Sequence, residues 1–288
     1  VWVIRIFIGP FISGIVRTAG LQTFPEKSTK RRTEGKPGFQ KRKGIPKVFL
    51  ASILLFAVSC KKNSNNTVPE SAAVTIKFHN TVAGQPVEYG KYNYTNASGN
   101  IYSISLLKYY VTSVVLTTDD NVEFKLNNYD LIDAFDAANF STINAGVLPN
   151  AVYKSMRFNL GIDSARNHTG AQDGDLDPMY NMIWTWSTGY LFMKHEGKFI
   201  NTIGDTTDLQ FHLGTDLAFS TINVPINMTV SGVDKTLNIE FDLNSMYDSP
   251  AIDFNAGNIH HSTLVTDKPW INAMLINAQD AFKFKSAD

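Results

Sequence analysis

The stretch Tyr109-Tyr110-Val111-Thr112-Ser113-Val114-Val115-Leu116 decides the fold class of this chain, because nearly all of its residues are β-branched or aromatic. Such side chains pack well on a pleated, half-buried surface. Asp119-Asp120-Asn121 follows as a turn and leads into the shorter run Val122-Glu123-Phe124-Lys125-Leu126. The region therefore predicts two β-strands joined by a turn.

The same pattern of short apolar runs and turn residues extends in both directions, over residues 73–285, which we expect to form one domain. Two segments, residues 133–139 and 270–280, are predicted to be helical instead. Seven or more strands favour an all-β, mostly antiparallel fold, either a two-sheet β-sandwich or an open barrel, with one or two short helices. The further strands are predicted at residues 74–78, 101–105, 152–160, 209–212, 226–230 and 236–243.

The first sixty residues have the pattern of a targeting segment. Basic residues at 41–43 and Lys47 precede the apolar run 48–58, which is shorter than the roughly 20 residues that a membrane-spanning helix needs. Ser59-Cys60 ends it, so residues 46–60 predict a lipoprotein signal peptide in which Cys60 is lipidated. The alternative is a buried N-terminal helix with an incidental thiol.

Two segments flank this predicted signal peptide. Residues 1–45 are interpreted as a non-mature stretch, produced by an open reading frame begun too early, although a transmembrane anchor at residues 1–16 is the alternative. Residues 61–72 are polar and predict a tether between the lipid and the domain. We therefore expect a bacterial envelope protein, attached through its lipid to the membrane and facing the periplasm or the outer-membrane surface.

Charge and cysteine content exclude several classes of protein. The first 62 residues contain 13 basic and 2 acidic residues, which leaves 13 basic and 24 acidic residues for the remainder. An acidic domain is a poor partner for nucleic acid. A single cysteine, Cys60, excludes a disulfide framework and a cysteine-rich zinc site.

Histidines are the first candidates for metal ligands. His79 and His212 lie at or near predicted strand ends, and the pair His260-His261 lies in a loop rich in Gly and Asn. Imidazole commonly binds copper, zinc and other late transition metals, and the loops of a sandwich can converge on one site. For each histidine the alternative is a hydrogen-bonded surface or core residue.

Three carboxylates, Asp173, Asp175 and Asp177, alternate along a glycine-containing loop. Alternate carboxylates can surround Ca²⁺, but the glutamate that completes an EF-hand loop is missing. A solvated turn that caps the next element explains the same residues. Their proximity in sequence to His168 also leaves a hydrolytic enzyme as a third alternative.

The segment Met182-Ile183-Trp184-Thr185-Trp186-Ser187-Thr188-Gly189-Tyr190 is the most distinctive of the chain. In a single strand Trp184 and Trp186 share one face. They form either an aromatic stripe of the core or an oxidisable or ligand-stacking surface. The chain has no nucleophile elbow, P-loop or dinucleotide fingerprint, and we expect it not to be an enzyme.

Several motifs resemble the MbnP-like family of bacterial envelope proteins, first named from methanobactin operons, over about residues 74–284. The resemblance implies a copper-binding protein beside a dihaem cytochrome c peroxidase-like partner that oxidises one tryptophan to kynurenine. The motifs are Phe78-His79 with Gly84-Gln85-Pro86-Val87, Gly161-Ile162-Asp163, Trp184-Thr185-Trp186 with Gly189-Tyr190 and Glu196-Gly197, and Phe211-His212-Leu213-Gly214.

The chain departs from the family pattern where methanotroph members carry Trp-x-His, because Phe124 and Leu126 occupy the corresponding positions. Of the site that the resemblance implies, the histidine of the His-Leu-Gly motif is retained, and His79, His260 and His261 could supply other ligands. Trp184 or Trp186 could be the oxidised residue. The function expected is copper acquisition or storage, and the alternative is a metal-free binding module on the cell surface.

Overall fold

The computed structural model describes residues 70–185 and 188–288, and these residues form two β-sheets with two α-helices. The predictions for the targeting segment, including Cys60, lie outside the described residues. The helices are α1 (Ser164–Asn167) and α2 (Lys268–Ala281). The strands are β1 (Ser71–Val82), β2 (Gln85–Pro86), β3 (Tyr94–Thr95), β4 (Ile101–Thr118), β5 (Glu123–Lys125), β6 (Tyr129–Asp133), β7 (Thr142–Pro149), β8 (Ala151–Leu160), β9 (Ile183–Thr185), β10 (Gly189–Ile200), β11 (Thr206–Gly214), β12 (Ser220–Val230), β13 (Lys235–Asp242), β14 (Ile259–His260) and β15 (Phe282–Ala287).

The smaller sheet has the order β15-β13-β1-β2, with β7 also paired to β1. The larger sheet has the order β12-β8-β4-β10-β11-β14, with the short strands β3, β5 and β6 along β4 and β9 paired to β10. Most pairs are antiparallel, while β1–β13 and β11–β14 are parallel. The fold class is thus the predicted all-β sandwich, and no barrel closes.

Aromatic rings fill the core between the two sheets. Phe78 on β1 meets Tyr109 on β4 and Phe158 on β8 edge to face, with ring centroids 6.3 and 6.1 Å apart. Edge-to-face contacts of this kind add stability beyond the apolar area that they bury. The core therefore joins the faces of both sheets.

The region around β4 follows the sequence prediction with one difference. The two strands predicted at residues 101–105 and 109–116 form one long strand, because Leu106, Leu107 and Lys108 between them pair with β10. Leu and Lys have a weaker β-propensity than β-branched or aromatic residues. Hydrogen bonds to neighbouring strands on both sides hold them in β4 nevertheless.

The two helix predictions have opposite outcomes. The C-terminal helix is confirmed, since residues 270–280 lie within α2. The helix predicted at residues 133–139 is wrong, because this segment forms turns. Asp133 accepts a hydrogen bond from the Phe135 backbone N–H, and side chains that bond locally in this way compete with helix formation.

Within the described residues, the helices are too short or too polar to cross a membrane. α2 instead lies against the β-domain and buries Trp270, Ile271 and Met274.

Candidate metal centre

His212 is held on the outward face of the larger sheet by strand alternation. On β11, Leu209, Phe211 and Leu213 face the core and are buried, so His212 points to the opposite side. Its antiparallel partner across the ladder is Lys194 of β10. The retained His-Leu-Gly histidine is therefore partly covered rather than part of the core.

His261 is brought onto His212 by the parallel pairing of β14 with β11. This pairing places His260 opposite Phe211, so that the next residue follows beside His212. The two rings stack with centroids 4.8 Å apart and planes 11° apart. Ser262, in the left-handed region with φ +46°, fixes the loop because its hydroxyl bonds to both backbone polar groups of Gly214. The strain of that backbone indicates that the surrounding structure determines the position of the loop.

Glu196 determines which ring nitrogen of His212 carries the proton. Its Oε1 accepts a hydrogen bond from the His212 Nε2–H at 2.8 Å and lies 3.3 Å from the ammonium of Lys194. Burial raises the pKa of Glu196, but the bond from His212 and the Lys194 charge outweigh it and hold the pKa below its usual value. Burial lowers the pKa of His212 more than Glu196 raises it. The ring is therefore neutral near pH 7, with the lone pair on Nδ1.

Two further features adjoin the stacked pair. The Nε2 atom of His261 is buried and has no hydrogen-bond partner among the described residues. The indole of Trp184 lies over Gly214, two residues beyond His212, so closely that a Cβ built on this glycine would be 2.9 Å from Cζ3 of the indole. An imidazole nitrogen without a partner and an indole ring near Gly214 thus accompany the histidine pair.

The other predicted histidine ligands lie elsewhere. His260 stacks on Trp270, with centroids 4.7 Å apart, and its Nδ1 is 3.1 Å from Asp267. His79 is on β1 of the smaller sheet, where its Nε2–H donates to Asn238 at 2.8 Å. The structure therefore brings together His212 and His261, but neither His79 nor the ring of His260 joins them.

The predicted cation loop has other partners. Asp175 accepts from the Leu131 backbone N–H at 2.9 Å, and Asp177 accepts from the Met179 N–H at 2.8 Å, so both carboxylates bind backbone groups. Among the described residues, no group of three or more His, Cys, Asp or Glu side chains could hold a metal ion. Asp177 thus caps the short turn that follows it, Asp175 bonds to β6, and Asp173 makes no side-chain capping bond. His168 bonds to Asp216.

The tryptophan segment is a hairpin and not the single predicted strand. Thr185 pairs with Gly189 and Ile183 with Tyr190, so the chain reverses between β9 and β10. Trp186 lies outside the described residues. Phe124 lies on β5 and contacts the buried Tyr153, with ring centroids 5.8 Å apart.

A sequence model of the MbnP family matches residues 71–263. The chain belongs to the MbnP family. Among solved structures, MbnP from Methylosinus trichosporium is similar, with 15% identity, a TM-score of 0.47, and coverage of 67% of this chain and 84% of that one. No curated protein matches. The family match includes His212, His261, Glu196 and Trp184 and ends before α2.

Sequence reasoning identified Glu196 as part of an MbnP motif but gave it no role. The signal was available in the alternation of Lys194, His195 and Glu196 along one strand. With β10 and β11 antiparallel, the outward residues of one strand lie beside those of the other, which places Glu196 near His212. The register itself, set by the turn at residues 201–205, was not deducible from the residues alone.

Proposed function

We propose that this protein is a lipid-anchored envelope protein that binds copper through His212 and His261, for acquisition or storage, without catalytic turnover of its own. Membership of the MbnP family supports the class of protein. The observation that carries the ligand assignment is the stacked pair of imidazoles, one oriented by Glu196 and the other with a buried, unpartnered nitrogen.

The chemistry of this donor set fits copper better than the commoner alternatives. Imidazole suits copper and zinc, but structural zinc sites take four protein ligands in almost all cases. Cu(I) accepts two or three ligands, and two imidazoles lie side by side in this structure. The rings are nearly parallel, so one of them must rotate for both lone pairs to reach the same ion. Glu196 would hold His212 in the tautomer that leaves Nδ1 for the metal, as carboxylates do for metal-binding histidines generally. The metal would be cargo and not a catalytic group.

Copper titration of the full chain tests the assignment, using competition with a chromophoric Cu(I) chelator. We expect His212→Ala and His261→Ala each to weaken binding severely, and Glu196→Ala to weaken it by about 10–100-fold. His79→Ala and His168→Ala are matched controls that remove a histidine elsewhere, and both are expected to retain the affinity. Unchanged affinity in both His212→Ala and His261→Ala would contradict the proposal.

The pH dependence of binding provides a second test of the same site. Metal and proton compete for a neutral imidazole, so affinity falls as the ligand protonates. Because burial lowers the pKa of His212, this loss at His212 is expected to begin below the usual titration range of histidine. Glu196→Ala removes the hydrogen bond that raises the pKa of His212. The pH below which this variant loses copper affinity should therefore be no higher than in the parent.

Trp184 is the residue on which a dihaem peroxidase-like partner would act in this proposal, since its ring lies over Gly214 near His212. Oxidation to kynurenine would create an aryl amine that can bind copper. Peptide mass spectrometry of protein from the native host should then find modified Trp184 and unmodified Trp270, together with tighter copper binding than recombinant protein shows. If Trp184 and Trp186 are both unmodified and the affinities agree, this part of the proposal is wrong.

A metal-free binding module is the second candidate function, and a cleft of about 410 Å³ favours it. Tyr89, Tyr92 and Glu196 line this cleft, whose aromatic and polar groups could hold an organic ligand. The two candidates differ in the copper titration, because a metal-free module would show no copper affinity that depends on His212 or His261.

A further inference from the structure

A phenol and an imidazole form an isolated pair in the core, away from the candidate metal centre's outward face. The Tyr247 hydroxyl lies 2.5 Å from Nδ1 of His195, and the rings stack with centroids 5.9 Å apart. Both side chains are 0% exposed. A buried polar pair of this kind has no contact with solvent that could exchange its proton.

The direction of the hydrogen bond follows from the second ring nitrogen. Nε2 of His195 is buried and has no partner among the described residues. If Nδ1–H donated to the phenol, both the Nε2 lone pair and the phenolic proton would lack partners. If the phenol donates to Nδ1, only the Nε2–H lacks a partner. This arrangement costs less free energy, because each buried unpaired polar group is destabilising. Tyr247 therefore donates to a basic nitrogen.

The other tyrosines that are fully buried bond to atoms of a different kind. Tyr109 donates to the amide oxygen of Asn80, and Tyr153 donates to the backbone carbonyl of Pro149. Amide oxygens are far weaker bases than an imidazole, and an oxidised phenol is acidic enough to give its proton to His195 although burial lowers the pKa of that ring. Tyr247 thus differs from these tyrosines by the base that its hydroxyl faces.

Aromatic rings connect this pair to the edge of the core. Phe211 lies 5.8 Å from Tyr247 and 5.5 Å from Trp270, centroid to centroid. The Trp270 side chain is 8% exposed and stacks on His260. An electron can therefore leave Tyr247 by short steps from ring to ring. The last ring of this series, nearest the surface, is the oxidisable indole of Trp270.

We propose that Tyr247 and His195 form a proton-coupled redox pair that a strong one-electron metal oxidant at the protein surface can oxidise. In this step Tyr247 gives one electron to the oxidant, its O–H bond breaks and the proton forms a new N–H bond at Nδ1 of His195. The products are a neutral phenoxyl radical and an imidazolium, and reduction reverses both transfers. Burial raises the pKa of Tyr247 well above its usual range, which disfavours loss of the proton without the electron.

The experiment oxidises the full chain with a photogenerated ruthenium(III) polypyridine complex and detects the radical by electron paramagnetic resonance after rapid freezing. We expect a phenoxyl signal that forms more slowly in D₂O. The comparisons are made in a Tyr89→Phe/Tyr92→Phe background, because these two exposed phenols would give a signal of their own. In that background Tyr247→Phe should remove most of the signal. Tyr153→Phe, which removes an equally buried phenol bonded to a carbonyl, should leave the signal unchanged.

His195→Gln keeps Tyr247 and replaces the base by an amide, so it tests the pair even if Tyr247→Phe does not fold. The expected result is a large loss of radical yield in a variant whose circular dichroism is native. A phenoxyl signal that is undiminished in Tyr247→Phe, or one that keeps its yield and isotope effect in His195→Gln, would overturn the proposal. The result does not depend on copper binding, since neither variant alters His212 or His261.

Discussion

Individual side chains in this protein acquire their roles from the face of the strand on which they lie. His195 and Glu196 are neighbours in sequence, yet His195 is buried against Tyr247 whereas Glu196 faces outward and bonds to His212. Strand alternation is therefore enough to separate a core histidine from the carboxylate that orients the proposed ligand His212. The same argument separates Phe211 from His212 on the adjacent strand.

Burial of His195 predicts a specific pH dependence of stability. Its pKa is lowered from 6.5 to about 3, chiefly by burial. Between these values the unfolded chain binds a proton that the folded chain excludes, so the free energy of unfolding falls as pH falls from 6.5 towards 3, by up to about 1.4 kcal/mol per pH unit. Above pH 6.5 both states are neutral at this ring, and its contribution no longer changes.

Urea unfolding at about pH 7 and about pH 4.5 measures this slope. The double variant His195→Phe/Tyr247→Phe replaces the polar pair by two apolar rings and should show a smaller loss of stability in acid than the parent. Tyr247→Phe alone retains the histidine and should keep the slope. Equal slopes in the parent and the double variant would show that His195 is protonated without unfolding.

Much of the element pattern was predictable, because alternation and turn chemistry are local properties of the chain. Residues 152–160 and 236–243 agree with β8 and β13 to within about one residue. The hairpin of β9 and β10 was not predicted, because the aromatic residues on both sides of Ser187-Thr188-Gly189 were interpreted as parts of one strand. Convergence of the loops that carry His212 and His261 was expected from the sequence, but the parallel bridge that stacks the two rings joins strands far apart in sequence and was not deducible.

At the scale of elements, the close approach of β10 and β4 depends on Gly197. The register between the strands shifts at Glu196 and Gly197, and a Cβ at Gly197 would lie 1.9 Å from the backbone oxygen of Ser103. We expect Gly197→Ala to destabilise the protein by about 1–3 kcal/mol, because a central strand must move to relieve the overlap.

The denaturation midpoint at constant m-value measures this effect. Lys198→Ala is a matched control on the next residue, where an exposed pair with Asp208 at 3.7 Å contributes little. Its stability should change by less than about 0.5 kcal/mol. Equal effects of the two substitutions would indicate that strand propensity, and not the close approach, determines the cost.

At the scale of the whole molecule, the sequence divides into a basic N-terminal segment and an acidic β-domain. Residues 1–62 hold 13 of the 26 basic residues and 2 of the 26 acidic ones. The family match begins at residue 71, within the last two residues of the predicted tether. A copper-binding domain held close to a membrane surface by a short polar segment would meet metal ions and partners there rather than by free diffusion.

The predicted lipid anchor at Cys60 has a measurable consequence for where the protein is found. A single acyl chain binds membranes weakly, whereas two or more chains hold a protein firmly, so lipidation of Cys60 should place the protein in the membrane fraction. Cys60→Ala should leave an uncleaved or soluble protein, while Ser59→Ala keeps a small residue before the cysteine and should be processed normally. Fractionation of the native host and N-terminal mass spectrometry measure both properties. A mature N-terminus other than Cys60, or an unmodified thiol, would contradict the lipid anchor, and the proposed copper site would then have to act without attachment to the membrane through this residue.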